Sequence, residues 1–161
     1  MASSSTSTPP TYTRRSATIK DEAIFAELVS QLYKEDHRQV LDTDTCKKTL
    51  REFLKHPEKG GVYILEQEKK AIGYTILVVF WANEFGGNIV TIDELFLKPE
   101  HRHQGIGTHL LESLLKEQPY DAVGFYLVTS PDNHSAQRLY QRLGFKPYKD
   151  PAFLYEYKKT R

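Results

Sequence analysis

The sequence predicts one mixed α/β (α+β) domain, with a mostly antiparallel sheet of about seven strands and helices on both faces. A length of 161 residues is typical of one domain and is enough to bury a core. Apolar strand-like runs alternate with amphipathic segments whose apolar residues repeat every 3.6 positions. No internal repeat is present, and the elements follow the order strand, two helices, three strands, helix, strand, helix, strands.

The composition excludes several classes of protein. A net charge of +1 gives no indication of nucleic-acid or membrane binding. No apolar run approaches the roughly 20 residues that span a bilayer, and the expected location is the cytoplasm. The single cysteine, Cys46, excludes a disulfide framework and a zinc cluster. It shares a helical face with Leu50, Phe53 and Leu54, so a buried thiol is expected.

The N-terminal segment differs from the rest of the chain. Met1 to Arg15 is rich in Ser, Thr and Pro and has no acidic residue, so it cannot bury enough apolar surface to fold. We expect residues 1–15 to be a disordered tail and residues 16–161 to be the folded domain. A cloning remnant and a targeting segment are the alternatives for the tail.

The first half of the domain carries a short strand, two helices and three further strands. The first strand is expected to end at Thr18–Ile19, and Asp21 can cap the helix that follows. Pro57 ends the second helix. The predicted segments are the helices from 21 to about 37 and from 44 to 56, and the strands 62–66, 71–81 and 89–97.

The second half continues with a helix from Gly105 to about Glu117, whose leucines fall on one face. A strand from 122 to 128 and a helix from 133 to 143 come next. Gly144 is a plausible left-handed cap for that helix. The remaining segment, from Phe145 to Tyr157, is expected to be rich in strand.

The stretch Arg102-His103-Gln104-Gly105-Ile106-Gly107 lies between an apolar strand and the start of a helix. Glycines at a helix N-terminus allow an anion to approach unpaired backbone N–H groups, which predicts a pyrophosphate site. The stretch is neither a dinucleotide fingerprint, since Leu110 replaces the third glycine, nor a P-loop, since Gly105 is not followed by Lys. A tight glycine turn without a ligand is the alternative.

Two blocks together resemble the GNAT superfamily of acyl-CoA N-acyltransferases. The first is Arg102-x-x-Gly105-x-Gly107, which is similar to the family's coenzyme A signature. The second is Asn133-x-x-Ala136-x-x-Leu139-Tyr140-x-x-Leu143-Gly144-Phe145, which resembles the family's second characteristic helix and the turn after it. The resemblance covers residues from about 16 to 160 and implies a GNAT-like fold with acetyl-CoA as cosubstrate and without a metal.

The resemblance also implies which residues bind the coenzyme. Backbone amides would hold the pyrophosphate, Arg102 would add charge nearby, and the main chain of Leu95, Phe96 and Leu97 would pair with the pantetheine arm. The second block would contribute Asn133, Ala136 and Tyr140, although Asn133 also suits a helix N-cap. The amides expected at the pyrophosphate are those of His103, Gln104, Gly105, Ile106, Gly107 and Thr108.

Three residues are implied in catalysis. Tyr140 matches the family position that donates a proton to the leaving thiolate, with a core aromatic as the alternative. The run from Ile92 to Leu97 is similar to that of diamine and polyamine acetyltransferases, in which an acidic residue of this strand is the base. Asp93 aligns with that position and Glu94 is its neighbour. Strand alternation places them on opposite faces unless a bulge intervenes, so the choice between them stays open.

The expected acceptor is a small cationic primary amine such as a polyamine, bound by acidic and aromatic side chains. An aminoglycoside, a protein lysine or N-terminus, and a non-catalytic CoA-sensing role are the alternatives. The resemblance admits a homodimer, since family members are often dimers, and the sequence leaves the oligomeric state open. The six histidines show no metal spacing. The candidate acceptor-binding residues are Tyr33, Glu35, Asp36, Trp81, Glu84 and Phe85.

Overall fold

A computed structural model describes residues 8–148, which contain a five-stranded sheet and four α-helices. The strands are β1 (Thr13–Ser16), β2 (Gly60–Gln67), β3 (Lys70–Ala82), β4 (Gly87–Leu97) and β5 (Ala122–Leu127). The helices are α1 (Glu22–Glu35), α2 (Thr43–Lys55), α3 (Ile106–Glu117) and α4 (His134–Arg142). The elements up to α3 and β5 belong to one compact unit, and α4 belongs to a second unit that begins at Thr129.

The sheet follows chain order, β1-β2-β3-β4-β5. The first four strands are antiparallel. β5 is parallel to β4, because α3 carries the chain back to the end of the sheet at which β4 begins. The mixed, mostly antiparallel sheet is therefore confirmed. The predicted count of about seven strands is not matched, since the described residues form five. Residues 145–148 form no strand, and the rest of the predicted strand-rich segment lies outside the described residues.

The start of the fold differs from the prediction. Residues 13–16 form β1, which pairs with β2 from Thr13 opposite Glu66 to Ser16 opposite Tyr63. The predicted tail to residue 15 is therefore too long, and the predicted strand end at Thr18–Ile19 falls at the start of a 3-10 turn. A short polar edge strand has no apolar alternation to reveal it, because its stability comes from pairing with its neighbour.

One face of the sheet packs against α1 and α2. Phe25 and Leu28 of α1 and Leu50 of α2 form a buried cluster with Ile64 of β2 and Tyr74 of β3. Each of these side chains is at most 1% exposed, so they form the centre of this layer. The predicted buried thiol of Cys46 is confirmed at 2% exposure, whereas Leu54, expected on the same buried face, is 43% exposed.

The opposite face of the sheet is also apolar. Leu77 of β3 and Ile92 of β4 lie opposite each other, and strand alternation turns them away from the cluster on the first face. Both are buried. Helix α3, in the crossover between the parallel strands β4 and β5, contributes a stripe of buried side chains for this face. The stripe consists of Ile106, Leu110, Leu111 and Leu114. Among residues 8–148, no helix is long and apolar enough to cross a membrane.

Asp21 is placed at the N-cap of α1, as predicted, but its side chain does not cap that helix. The carboxylate instead accepts hydrogen bonds from the backbone N–H of Thr18 at 2.7 Å and from the guanidinium of Arg15 at 2.8 Å. Arg15 also binds Glu66 of β2 at 2.7 Å. The Arg15 hydrogen bonds lower the pKa of Asp21 to about 2, against the opposing effect of burial.

Helix α4 is capped as the sequence predicts. The Asn133 side-chain oxygen accepts from the backbone N–H of Ala136 at 3.1 Å, which satisfies one of the free donors of the first turn. Gly144 follows the helix with φ of 92°, a left-handed conformation that glycine adopts without steric cost.

Replacing Asp21 with Asn should lower the free energy of unfolding by about 2 kcal/mol at neutral pH, because the ionised carboxylate is paired in the folded state. Folding lowers the pKa of Asp21, so its contribution is present above about pH 4 and is lost as pH falls towards about 2. Urea unfolding of both proteins across this range measures the effect. Glu112→Gln on the exposed side of α3 is the control. An identical pH dependence for Asp21→Asn and the unsubstituted protein would contradict the assignment.

Candidate active site

The central irregularity of the sheet lies in β4. Ile76 of β3 pairs with Glu94, but the next residue, Leu77, pairs with Ile92. Asp93 is therefore an extra residue in the ladder with β3, which is a β-bulge. Because of the bulge, Glu94 lies opposite Ile76 on the face covered by α1 and α2. Asp93 is exposed and Glu94 is half-buried.

Two tyrosines hold the Glu94 carboxylate. The Tyr33 hydroxyl of α1 donates to Oε1 at 2.9 Å, and the Tyr74 hydroxyl of β3 donates to Oε2 at 2.6 Å. The Glu94 main-chain oxygen accepts from the Thr75 hydroxyl at 2.8 Å. One oxygen atom is thus bonded from the helix and the other from the sheet, which fixes the orientation of the carboxylate.

The surroundings keep both phenols protonated. Tyr74 is fully buried, with its ring edge-on to Phe25 at a centroid separation of 5.4 Å. Burial, followed by the nearby Glu94 charge, raises the pKa of Tyr74 far above its usual value. Burial and the hydrogen bond to Glu94 raise the pKa of Tyr33 to about 12. Sequence reasoning missed Tyr74, and the only available signal was a phenol hydroxyl within a mostly apolar strand.

Among residues 8–148, the last part of β4 has a free edge towards β5. The ladder between the two strands ends at the pair Ile92 and Leu127, while β4 continues to pair with β3 as far as Leu97. The predicted pantetheine-pairing residues 95–97 lie in this stretch. Leu95 and Leu97 are half-buried, whereas the Phe96 side chain is 3% exposed within the core. The free edge therefore offers the main-chain N–H and C=O groups of this segment to a ligand.

The glycine stretch opens onto the N-terminus of α3. Gly105 is the N-cap residue with φ of 78°, and no side chain caps the helix. His103 is also left-handed, with φ of 58°. A Cβ atom placed on Gly105 or Gly107 would meet no heavy atom within 4 Å beyond its chain neighbours and its own helix. Ile106 is buried, and Gln104 is exposed. There is thus open space beside Gly105 and Gly107 at the first turn of α3, whose N–H groups, including that of Thr108, have no capping side chain.

Arg102 forms its hydrogen bonds with residues of α1 and β4. Its guanidinium forms two hydrogen bonds with the carboxylate of Glu35, at 2.6 and 2.7 Å, and its Nε donates to the main-chain oxygen of Leu97 at 2.8 Å. This fork ties the end of α1 to the end of β4. It also lowers the pKa of Glu35. Both Arg102, predicted near the pyrophosphate, and Glu35, predicted near the acceptor, are thus bound to each other.

The other predicted acceptor residues fall into two groups. Asp36 lies at the end of α1 and binds Arg38 at 2.8 Å, while the Arg38 guanidinium stacks 4.0 Å from the centre of the Tyr33 ring. Trp81, Glu84 and Phe85 are exposed around the β3–β4 turn. With a rise of about 3.3 Å per residue, Trp81 lies roughly 17 Å along β3 from Ile76, the partner of Glu94. The structure therefore does not bring this second group to Glu94.

Tyr140 lies on α4 in the second unit. Its ring packs edge-on against Phe145 at a centroid separation of 6.1 Å, and its main-chain oxygen accepts from the Phe145 N–H at 3.0 Å. Burial raises the pKa of the Tyr140 phenol, so the hydroxyl keeps its proton at neutral pH.

A second contact network, which sequence reasoning did not find, joins the N-terminal strand to α3. The Tyr12 hydroxyl and the Nδ1 atom of His109 are 3.0 Å apart, and Arg14 forms an ion pair with Glu117. These contacts link residues about a hundred positions apart in the chain, for which local sequence carries no signal. In the described part of the chain, no group of three or more His, Cys, Asp or Glu side chains could hold a metal ion.

Comparison with known proteins decides the family. The model of the acetyltransferase (GNAT) family matches residues 24–145, which is most of the chain. The chain belongs to this family. An uncharacterised N-acetyltransferase from Bacillus subtilis is 28% identical over 88% of this chain and 93% of its own length. Another from Methanocaldococcus jannaschii is 26% identical over 84% of this chain, which spans only 61% of that relative.

Solved structures show the same fold. A possible acetyltransferase from Clostridium difficile 630 superposes with a TM-score of 0.78 at 23% identity, covering 93% of this chain and 99% of that one. A predicted acetyltransferase from Clostridium acetobutylicum, solved with acetyl-CoA, has a TM-score of 0.73 at 19% identity, covering 90% and 96%. The GNAT-like mixed α/β fold is confirmed by these structures.

The described residues of this GNAT domain fit the coenzyme of the family. The open space at Gly105 and Gly107 admits an anion to the α3 N-terminus, where the helix dipole favours negative charge. The free edge of β4 leads away from Glu94 towards the residues that precede this helix. Acetyl-CoA would supply a thioester here, and the α3 N-terminus would offer it backbone donors without competition from a capping side chain.

Replacing Gly107 with Ala should separate coenzyme binding from folding. The added methyl group meets open space, and alanine favours a helix over glycine by about 1 kcal/mol, so thermal stability should stay equal or rise. The same methyl group narrows the approach to the backbone, and CoA affinity measured by calorimetry should fall by about tenfold. Glu112→Ala on the same helix is the control. Unchanged CoA affinity in Gly107→Ala would argue against coenzyme binding at the α3 N-terminus.

Proposed function

We propose that this GNAT domain transfers an acetyl group directly from acetyl-CoA to a small cationic primary amine, with polyamines as the first candidate class. The observation that carries the proposal is the half-buried Glu94 carboxylate, fixed by two phenols at the bulge of β4. It lies where the free edge of β4 begins, so an acceptor bound at Glu94 is adjacent to the strand segment proposed for the thioester arm.

The donor half of the site is proposed to be built from backbone. The N–H groups of residues 103–108 would hold the pyrophosphate, and the edge of residues 95–97 would pair with the pantetheine arm. A main-chain N–H near Leu95 would then stabilise the negative charge that develops on the thioester oxygen during attack. Arg102 contributes indirectly in this scheme, because its fork to Glu35 holds the end of β4 in place.

The acceptor half is proposed to depend on charge. An amine arrives protonated at neutral pH and must lose that proton before its nitrogen attacks the thioester carbon. Glu94 would bind the ammonium group, and Asp93, exposed on the bulge, would add negative charge or accept the proton through water. Two adjacent carboxylates support a cationic acceptor over a neutral one.

Tyr140 is proposed to protonate the leaving thiolate. As the new C–N bond forms and the C–S bond breaks, the thiolate requires a proton, and a phenol that stays neutral at working pH can supply it. Burial keeps the Tyr140 hydroxyl in this protonated form.

A thiol-release assay with acetyl-CoA tests the acceptor class. The panel contains diamines and polyamines, aminoglycosides, amino acids and a lysine-bearing peptide. We expect the highest kcat/KM with diamines and polyamines, because their ammonium groups match the carboxylates at the β4 bulge. A clear preference for the peptide or for aminoglycosides would replace the polyamine assignment. Absence of thiol release with every acceptor, while acetyl-CoA still binds by calorimetry, would favour a CoA-sensing role.

Replacing Tyr140 with Phe should lower kcat by about a hundredfold, because general acid catalysis is typically worth that much or more. Acetyl-CoA affinity and thermal stability should change little, since only the hydroxyl is lost. Tyr63→Phe removes a comparable hydroxyl, which lies 2.7 Å from that of Tyr120, and should leave kcat unchanged. An unaltered kcat in Tyr140→Phe would exclude it as the proton donor.

A further inference from the structure

We propose that Tyr33 and Tyr74 are positioning residues that hold Glu94 as a fixed anion for the ammonium group of the acceptor. The inference rests on the proposed function and deepens it. It assigns a role in acceptor recognition to Tyr74, which has no place in the sequence motifs, and gives Tyr33 a role that acts through Glu94 instead of through direct stacking on the substrate.

The partners of Glu94 differ from those of the other paired carboxylates. Asp21 and Glu66 share Arg15, and Glu35 is bound by the fork of Arg102. Each of these carboxylates is neutralised by a guanidinium. In the part of the chain that the structure describes, no ion pair includes Glu94. Its two hydrogen-bond donors are the neutral phenols.

Neutral donors have a different consequence from a counter-ion. A phenol stabilises a carboxylate by hydrogen bonding but leaves its negative charge uncompensated, and each carboxylate oxygen keeps a further lone pair. Burial and the Glu94 charge raise the pKa of both tyrosines, so neither phenol gives up its proton at neutral pH. The Glu94 carboxylate is therefore positioned to bind a cation, and an ammonium ion is the matching ligand.

The other charged and titratable groups around Glu94 agree with this reading. Asp93, the adjacent residue on β4, contributes further negative charge, since it helps to raise the pKa of Tyr33. On α2, Cys46 has its pKa raised chiefly by burial, with smaller effects from Asp42 and Glu94. Arg38 is a cation on this side: its guanidinium stacks on the Tyr33 ring, opposes the rise in pKa of Tyr33 and Tyr74, and is paired with Asp36. Among the described residues, the Arg38 charge is thus paired with Asp36, while no ion pair includes Glu94 or Asp93, and these two carboxylates together favour an incoming positive charge.

The geometry also explains why two tyrosines are used. Tyr74 is fully buried in β3, and a buried hydroxyl without an acceptor would be costly, so it fixes Oε2 from the rigid sheet side. Tyr33 is half-buried near the end of α1 and fixes Oε1 from the helix side. Both partners must be in place for the carboxylate to keep one orientation, and a one-sided contact would leave it free to rotate.

A double-mutant cycle on acceptor kinetics tests the proposal. The full chain is prepared as Tyr33→Phe, Tyr74→Phe and Glu94→Gln, and each tyrosine change is also made in the Glu94→Gln background. The assay uses the best ammonium acceptor of the panel, at saturating acetyl-CoA. Tyr63→Phe is the matched control, because it removes a tyrosine hydroxyl bond of β2 away from Glu94. Thermal unfolding of every variant reports whether it folds.

The expected result is a loss of kcat/KM for the acceptor that depends on the presence of Glu94. Each tyrosine change should lower kcat/KM for the acceptor by about tenfold in the native background, and by less than about twofold when Glu94 is already Gln. The loss should appear in the acceptor KM, with the KM for acetyl-CoA unchanged. Simple structural damage would move both KM values and would persist in the Glu94→Gln background.

Two outcomes overturn the inference alone. In the first, the enzyme is active and the folded tyrosine variants keep the native kcat/KM for the acceptor. In the second, each tyrosine change lowers that kcat/KM equally in the native and in the Glu94→Gln background. If Tyr74→Phe does not fold, Tyr33→Phe at the partly exposed helix end decides the cycle. Absence of acetyl transfer by the unsubstituted protein with any amine overturns the proposed function itself, so the two failures are distinguishable.

Discussion

One extra residue in β4 controls the layout of the site. Without the bulge at Asp93, strand alternation would continue unbroken, and Glu94 and Ile92 would share a face. With it, Ile92 faces one layer beside Leu77 and Glu94 faces the other beside Ile76. The bulge thus allows one strand to supply apolar contacts to one face of the sheet and a carboxylate to the other. It also coincides with the point at which pairing to β5 stops.

Electrostatics then divides the carboxylates into two groups. Arginines hold the structural ones: Arg15 joins β1 to the start of α1 and to β2, and Arg102 joins the end of α1 to the end of β4. These pairs are satisfied within the fold and leave little charge for a ligand. Glu94 is stabilised by phenols, which retain its charge. In our proposal, the same residue type is a tie between elements when its donor is charged and a binding group when its donors are neutral.

The sequence was sufficient for the elements with strong periodicity. The helices around Leu28, Leu50 and Leu111 and the strands β2 to β5 lie within a few residues of their predicted positions, because burial of an apolar face determines both pattern and structure. The glycine stretch was also located correctly at the start of α3, since left-handed backbone and helix N-termini have local signatures.

Features that depend on contacts distant in sequence could not be found in the same way. The pairing of Arg102 with Glu35 joins residues 67 positions apart, and the sequence suggested separate ligands for each. Whether Asp93 or Glu94 faces the helices depends on a bulge that leaves no mark on the hydrophobic pattern. Tyr74 resembled an ordinary core aromatic because its role depends on a hydroxyl that meets a carboxylate from another strand. β1 was missed because an edge strand of polar residues is ordered by its neighbour.

The two proposed halves of the site therefore depend on the sequence in different ways. The proposed coenzyme half uses backbone N–H groups at a helix start and the edge of a strand, and many sequences can build these provided that glycine lies where the ligand approaches the backbone. Such a half is readily shared across a family. The acceptor half requires side chains from α1, β3 and β4 to meet at one carboxylate, and each can change without altering the fold. Under the proposed function, membership of the GNAT family accounts for the coenzyme half, whereas the choice of acceptor depends on the charge of Glu94, which no ion pair among the described residues includes.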